Sequence, residues 1–313
     1  MRPVPGCRMM DGSLDGTMAI PPRRLSVPVR NRFGEGRMAV LDFGPAERPV
    51  DLVFVHANGF NAYTYRQLLS GLAGRLRIWA VDLRGHGHTT LPVKVQGRQN
   101  WHDHRDDLIS LLETIDGPPV ALCGHSIGGT SSLLAAAKAP HKVSRLILLD
   151  PVIWSFATMA VFNTPLLNSL SRRAPIVQST LRRRAHFDSR EQAFTSWQGR
   201  GAFKGWPDAV LRDYLADGLI EDGLIEDGKG LRLACSPEWE ASNYAAQAHN
   251  PWRALRQYDG PVQLLKAETG SLCALNNPSA GHQVSIHTVT GAGHLFPMTH
   301  PQVVREVLSD LAA

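Results

Sequence analysis

The sequence predicts an α/β protein built on a mostly parallel sheet that is flanked by helices. Residues 49–56, 77–83 and 143–150 are nearly continuous apolar runs, which is typical of strands buried on both faces. Two segments with helical spacing, 63–72 and 101–115, lie between these runs. Because buried strands alternate with amphipathic helices, we expect a parallel sheet covered on both sides.

The other elements of the predicted core continue this alternation. Residues 38–43 form a strand ahead of the buried runs, and 119–124 form a strand that leads directly into a helix over 127–138. The pattern returns near the C-terminus with strands at 261–267 and 284–289 and a helix at 302–311. Ligands of such sheets bind beyond the carboxyl ends of the strands, where the sequence places His56, Asp82, Ser126 and Asp150.

The alternation stops between residues 154 and 250, which predicts a separate helical unit. This region is rich in Arg, Trp and Phe, lacks buried strands and shows helical segments at 189–197, 207–215 and 237–246. It contains the pentapeptide G-L-I-E-D in tandem at 218–222 and 223–227, which we interpret as a local duplication in a surface helix end or hairpin. We therefore predict a disordered extension over 1–24, an α/β core over 25–153 and 251–313, and a helical cap over 154–250, inserted after the strand that ends at Asp150.

Composition excludes several classes of protein. The net charge of +5 comes from 33 Lys and Arg against 28 Asp and Glu, and these charges are scattered, so we expect no nucleic-acid partner. No apolar run is long enough to span a membrane, and residues 1–24 do not resemble a secretory signal. The four cysteines lack C-x-x-C spacing, which favours a reducing, cytoplasmic environment and no metal site. Because no G-x-G-x-x-G opens a helix after a strand and no H-E-x-x-H occurs, we expect no cofactor. The sequence does not predict the oligomeric state.

The clearest chemical signal is G-x-S-x-G at residues 124–128. In this pattern a strand enters a sharp turn, the serine lies at its tip, and the following helix directs its free N–H groups at the substrate. A serine hydroxyl needs a base, and His294, just past the last strand in G-A-G-H, is favoured among thirteen histidines. The developing oxyanion needs two donors, which we expect from the backbone N–H group of Ile127 and from the loop at 56–60.

Four motifs carry a family resemblance: H-A-N-G-F at 56–60, D-L-R-G-H-G-H-T at 82–89, G-H-S-I-G-G at 124–129 and G-A-G-H at 291–294. Together they resemble the α/β-hydrolase superfamily, in its large group that carries a helical cap. The resemblance extends from about residue 25 to the C-terminus. It implies the α/β-hydrolase fold, a catalytic triad that includes Ser126 and His294, and an oxyanion role for Asn58. In relatives a glycine usually stands where this chain has Ala57.

The acidic member of the triad stays open between two carboxylates. Relatives usually place an aspartate shortly after the strand at 261–267, but the corresponding position here is Gly270. Asp150 ends the strand that follows the nucleophile helix, and some capped relatives carry their acid there. Glu268 lies near the usual position but two residues early. We favour Asp150 and keep Glu268 as the alternative.

These residues predict a serine hydrolase that cleaves a small carboxylic ester or lactone through an acyl-enzyme. The same triad can hydrolyse a carbon–carbon bond or transfer an acyl group to another acceptor. A non-catalytic ligand-binding or sensor protein of the same fold is the alternative from a different class. The cap is rich in aromatic residues, which indicates a small-molecule substrate with an apolar acyl or aryl part.

Overall fold

A mostly parallel sheet of eight strands forms the centre of the protein. The computed structural model describes residues 21–164, 171–222, 230–276 and 283–312. In chain order the strands in these ranges are β1 (Arg23–Asn31), β2 (Gly34–Phe43), β3 (Leu52–Val55), β4 (Ile78–Val81), β5 (Val120–His125), β6 (Val143–Leu149), β7 (His186–Phe187), β8 (Leu219–Glu221), β9 (Leu231–Leu233), β10 (Val262–Thr269) and β11 (Val284–Gly293).

The order of strands in the large sheet is β1-β2-β4-β3-β5-β6-β10-β11. Neighbours from β4 to β11 run parallel, whereas β1 and β2 form an antiparallel edge against β4. All four residues of β3 are buried, as are all six of β5. These features confirm the predicted α/β fold with a mostly parallel sheet. Because β3, β5 and β6 point the same way, His56, Ser126 and Asp150 lie at one edge.

Helices such as α2 (His102–Glu113) and α3 (Ile127–Ala136) pack against the sheet. All the helices of the described ranges are, in chain order, α1 (Arg66–Ser70), α2, α3, α4 (Phe156–Asn163), α5 (Pro175–Leu181), α6 (Arg190–Trp197), α7 (Asp208–Gly218), α8 (Pro237–Ala245), α9 (Pro251–Gln257), α10 (Phe296–Thr299) and α11 (Pro301–Ser309). Short 3-10 helices lie at Ala62–Tyr65, Pro140–Lys142, Gly201–Phe203 and Asp310–Ala312.

Two apolar clusters cover the two faces. Successive side chains of a strand point to opposite sides, and in β3 Leu52 and Phe54 belong to one cluster while Val53 and Val55 belong to the other. The first cluster continues into α1, α7 and α11, and the second into α2 and α3. Both faces of the sheet are therefore buried, which explains why the strand sequences are continuous apolar runs and do not alternate between apolar and polar residues.

The insertion between β6 and β10 is mainly helical but also contains a small sheet. Strands β7, β9 and β8 pair in that order and run antiparallel. The sequence predicts no strand here because segments of two or three residues are too short to show an alternating pattern. The first G-L-I-E-D copy, 218–222, covers the end of α7 and β8. The second copy, 223–227, lies outside the described residues.

The sheet begins earlier in the chain than the sequence predicts. Strand β1 starts at Arg23, inside the predicted extension over 1–24, and Arg24 pairs with Asp217 of α7 at 2.8 Å. The sequence of β1 does not show the apolar run of a buried strand, because β1 carries a proline and lies half exposed at the edge of the sheet. Residues 1–20 lie outside the described ranges. No helix in those ranges combines the length and apolar character needed to cross a membrane.

Candidate active site

Ser126 occupies a strained turn between β5 and α3. Its backbone has φ 56° and ψ −119°, a conformation that a non-glycine residue rarely adopts. The turn is tight because glycines surround it: a Cβ on Gly124 would overlap the backbone of Gly128, and a Cβ on Gly128 would overlap the carbonyl of Val55. The Ser126 N–H donates to the carbonyl of Leu149 at 2.9 Å. The sequence therefore holds the serine at the tip of the turn at the carboxyl edge of the sheet.

The structure joins Ser126, His294 and Asp150 in one chain of hydrogen bonds. Oγ of Ser126 lies 3.0 Å from Nε2 of His294, and Nδ1 of His294 lies 2.6 Å from Oδ2 of Asp150. A carboxylate can only accept, so Nδ1 of His294 carries a proton and Nε2 is left to accept from the serine hydroxyl. This is the geometry in which a histidine can remove a proton from a serine.

The carboxylate of Asp150 is buried and surrounded by donors. Oδ1 accepts from the Ser271 hydroxyl at 2.5 Å and from the Ala267 N–H at 3.1 Å, and Oδ2 also accepts from the Leu272 N–H at 3.2 Å. Burial favours the neutral acid, but the hydrogen bond from His294, its electrostatic attraction and these donors outweigh burial and hold the pKa of Asp150 below its ordinary value. Asp150 therefore stays ionised beside His294.

Glu268 does not reach His294. Its exposed carboxylate accepts a hydrogen bond from the N–H of Gly291 at 2.8 Å, near the end of β11 and three residues before His294. Position 270, where relatives usually have the acid, is a glycine with φ 65° whose surroundings are open. Of the two carboxylates left open by the sequence, the structure brings Asp150 to the histidine.

Asn58 and Ile127 lie with Ser126 on the wall of one cavity. The Asn58 side chain is held by α8, in the insertion between β6 and β10: its Nδ2 donates to the carbonyl of Glu240 at 3.0 Å, and its Oδ1 accepts from Nδ2 of Asn243 at 2.7 Å. Both partners belong to α8, more than 180 residues away in sequence. No local pattern could indicate them, and sequence reasoning missed both.

A buried network also fixes the orientation of Asn243. Its Oδ1 accepts from Nη1 of Arg98 at 2.6 Å and lies 3.1 Å from Nε2 of His104. Arg98 in turn pairs with Asp103 at 2.6 Å. The guanidinium of Arg98 can only donate, so the Asn243 atom that it contacts must be the amide oxygen. The NH₂ group of Asn243 therefore faces Asn58. The loop that carries Asn58 is thereby tied to α8 through a side chain that cannot flip.

His125 points away from the serine hydroxyl and supports the loop that carries His294. Its Nε2 lies 2.9 Å from the carbonyl oxygen of His294, so this nitrogen carries the proton, and its Nδ1 lies 2.7 Å from the Tyr65 hydroxyl. The same hydroxyl accepts from the Ala57 N–H at 3.1 Å. Burial, reinforced by the nearby His294, lowers the pKa of His125 to about 3, so the ring is a neutral tether between the Asn58 and His294 loops.

An apolar cavity of about 370 Å³ opens beside Ser126. Its polar wall carries Asn58, His294 and Asn243. The apolar wall comes from both the core and the cap and includes Trp101, Val152, Trp154, Phe162, Ile176 and Leu272. In the ranges that the structure describes, no cluster of three or more His, Cys, Asp or Glu residues is arranged to hold a metal ion.

Comparison with known proteins gives consistent relationships. A family model described as the alpha/beta hydrolase family matches residues 52–307. The chain is 31% identical to the magnesium-chelatase 30 kDa subunit of Rhodobacter capsulatus over 156 residues. This aligned region covers 49% of this chain and 53% of that protein. The chain is also 33% identical to the 2-(acetamidomethylene)succinate hydrolase of Mesorhizobium japonicum over 99 residues. That aligned region covers 32% of this chain and 34% of that protein.

The fold as a whole resembles solved structures. A crystal structure of E-2-(acetamidomethylene)succinate hydrolase superposes with a TM-score of 0.67 at 22% sequence identity, covering 92% of this chain and 99% of that one. At this identity the likeness shows the fold alone. The alignments with the two curated relatives span about half of the first and a third of the second.

We predict that Gly128→Ala strongly destabilises the protein, because the new methyl group would overlap the backbone of Val55 and His56. The expected loss is about 2–4 kcal/mol in the free energy of unfolding, measured by urea denaturation followed by circular dichroism. Gly74→Ala is the matched control, since no atom lies within 4 Å of a Cβ at that position. Equal unfolding midpoints for the two variants would contradict the tight packing described for the turn.

Proposed function

Since this chain belongs to the alpha/beta hydrolase family, we propose that it is a serine hydrolase that cleaves a small carboxylic ester or lactone through an acyl-enzyme. The hydrogen-bonded chain from Ser126 through His294 to Asp150 carries the proposal. It ends at a strained turn that exposes the serine to a cavity. A nucleophile, a base and an oriented acid in one line are the parts that acyl transfer needs.

The reaction begins with proton transfer from Ser126 to Nε2 of His294. As Oγ attacks the substrate carbonyl carbon, Asp150 stabilises the imidazolium that forms and keeps its Nδ1–H in place. The carbonyl oxygen becomes an oxyanion, for which the backbone N–H groups of Ile127 and Asn58 are the donors. His294 then gives the proton to the leaving atom, and the bond between that atom and the acyl carbon breaks. A water molecule, activated by the same imidazole, releases the acid and restores the serine.

The oxyanion donors need a fixed position, because they act only if they are aimed at the developing charge beforehand. Ile127 begins α3 directly after the nucleophile, so the turn itself holds its N–H. Asn58 lies in a loop, and its side chain is fixed by Glu240 and Asn243 of the cap. The cap therefore contributes to the oxyanion site as well as to the cavity.

The cavity supports an apolar acyl or aryl group on the substrate. Its wall is formed largely by aromatic and aliphatic side chains, including Trp101, Trp154 and Leu272, and such surfaces favour groups without charge. The volume of about 370 Å³ is at the low end for small-molecule sites, which supports a small substrate.

The described cysteines are unpaired thiols, which supports a reducing, cytoplasmic location.

The proposal is tested with p-nitrophenyl esters of graded chain length, together with lactones and a vinylogous diketone. We expect the wild type to hydrolyse short or aryl esters or a lactone, and Ser126→Ala to lose at least about 10³-fold in kcat/KM. Circular dichroism of the variant controls for folding. Cleavage of the diketone alone would favour the carbon–carbon hydrolase alternative. A wild type that is inert toward every compound would favour a non-catalytic binding protein.

We predict that Asp150→Asn lowers kcat by about 10³–10⁴-fold, because the amide can no longer stabilise the protonated histidine or hold its tautomer. Glu268→Gln keeps most of the activity, since Glu268 contacts the Gly291 N–H rather than the imidazole. Steady-state kinetics on the best ester measure both. Equal, small effects of the two substitutions would contradict the assignment of Asp150 as the acid.

A further inference from the structure

A second cleft, of about 580 Å³, meets the apolar cavity at the catalytic histidine. The two spaces share the wall residues Asn58, Phe60, Tyr244, His294 and Leu295. Ser126 and Ile127 line the apolar cavity only. The site therefore consists of two adjoining arms, the apolar cavity and the cleft, and His294 lines both.

The two arms differ in chemistry. Among the described residues that line the apolar cavity there is no Arg, Lys, Asp or Glu, whereas Arg183, Arg200 and Glu240 line the cleft. Arg183 is paired with Glu240 at 2.8 Å and lies 5.1 Å above the ring of Trp197. Arg200 has no carboxylate or other side-chain partner within the described ranges. Counting only the residues that the structure describes, the cleft carries one positive charge without a paired carboxylate, on Arg200.

The local sequence presents Arg200 at the cleft. Gly199 and Gly201, on either side of it, have φ 67° and 53°, which favours glycine at both positions. The Arg200 N–H donates to the carbonyl of Trp197 at 3.0 Å, and its own carbonyl accepts from the Phe203 N–H at 2.9 Å. This tight turn follows α6 and leads into the 3-10 helix at Gly201–Phe203. The arginine thus stands beside the stacked rings of Trp197 and Phe203, whose centroids are 5.3 Å apart.

The chemistry of acyl transfer assigns one arm to each part of the substrate. The leaving atom must receive its proton from Nε2 of His294, so the leaving group has to lie on the side of the histidine. The acyl part stays bonded to Ser126 and has to fit the arm that the serine lines. The apolar cavity therefore suits the acyl part, and the cleft suits the leaving group.

We propose that the substrate carries a carboxylate on its leaving group and that Arg200 binds this carboxylate in the cleft. The proposal rests on the proposed serine hydrolase function and narrows its substrate class to esters with an apolar acyl part and an anionic alcohol or phenol part. A guanidinium binds a carboxylate through two parallel hydrogen bonds. A single uncompensated positive charge matches a monoanion, and the Trp197 and Phe203 rings offer an apolar surface for the body of the leaving group.

The test compares two phenyl esters with the same short acyl group, one with a para-carboxylate and one with a para-carboxamide on the leaving phenol. The groups are similar in size and differ in charge. Values of kcat/KM are measured for wild type, Arg200→Gln and Arg200→Glu, and the ratio between variants removes the intrinsic reactivity of each ester. Arg182→Gln is the matched control, because Arg182 is an exposed arginine of the same cap and does not line the cleft.

We expect Arg200→Gln to lower kcat/KM for the carboxylate ester by about three- to tenfold, since the contact is partly exposed to solvent. The carboxamide ester should be unaffected by this change, and Arg200→Glu should penalise the carboxylate ester further. The effect should shrink as salt is added, because exposed charges are screened, and Arg182→Gln should leave both esters unchanged.

Two results would overturn the proposal in distinguishable ways. If Arg200→Gln changes both esters equally, or neither, Arg200 does not bind the carboxylate, while hydrolysis of the carboxamide ester leaves the serine hydrolase function intact. If correctly folded wild type cleaves neither ester nor any other ester or lactone tested, the serine hydrolase function itself fails and the substrate class fails with it.

Discussion

The close approach of β3, β5 and α3 around Ser126 is the constraint on which the site depends. Glycines at 124 and 128 let the helix backbone lie directly against the two strands, where any side chain would overlap main-chain atoms. This contact forces the serine into its strained conformation and directs the start of α3 at the cavity. The other groups of the site are useful only because the hydroxyl has this one position, to which His294 and Asp150 are then matched.

The parts of the site that could be predicted are those whose backbone geometry demands particular residues. The glycines of the serine turn, the buried strands, and His294 in a glycine-rich loop all leave a local pattern. The anchors of Asn58 leave none, because Glu240 and Asn243 approach it only when the cap folds over the core. Strand β1 and the two- and three-residue strands of the cap were missed for a related reason, since edge or very short strands lack a continuous apolar run.

The position of Asp150 beside His294 has a structural explanation that the sequence only suggests. Gly270 cannot supply a carboxylate, but the residues directly after it still contact Asp150: Ser271 and Leu272 donate hydrogen bonds to it. The loop after β10 thus contributes donors, and the end of β6 contributes the charge. Ser271 was not predicted, since a serine after a glycine is an ordinary turn former and its partner lies 121 positions away.

The role of Ser126 as the nucleophile is tested most directly by covalent labelling with a fluorophosphonate, followed by intact-protein mass spectrometry and peptide mapping. The strained turn, together with the proposed base His294 and the proposed oxyanion donors, predicts a single label on wild-type protein, located on Ser126, with no label on Ser126→Ala. Slower labelling of Asp150→Asn should accompany this result. Folded wild-type protein that takes up no label, or a label that persists in Ser126→Ala, would contradict the assignment.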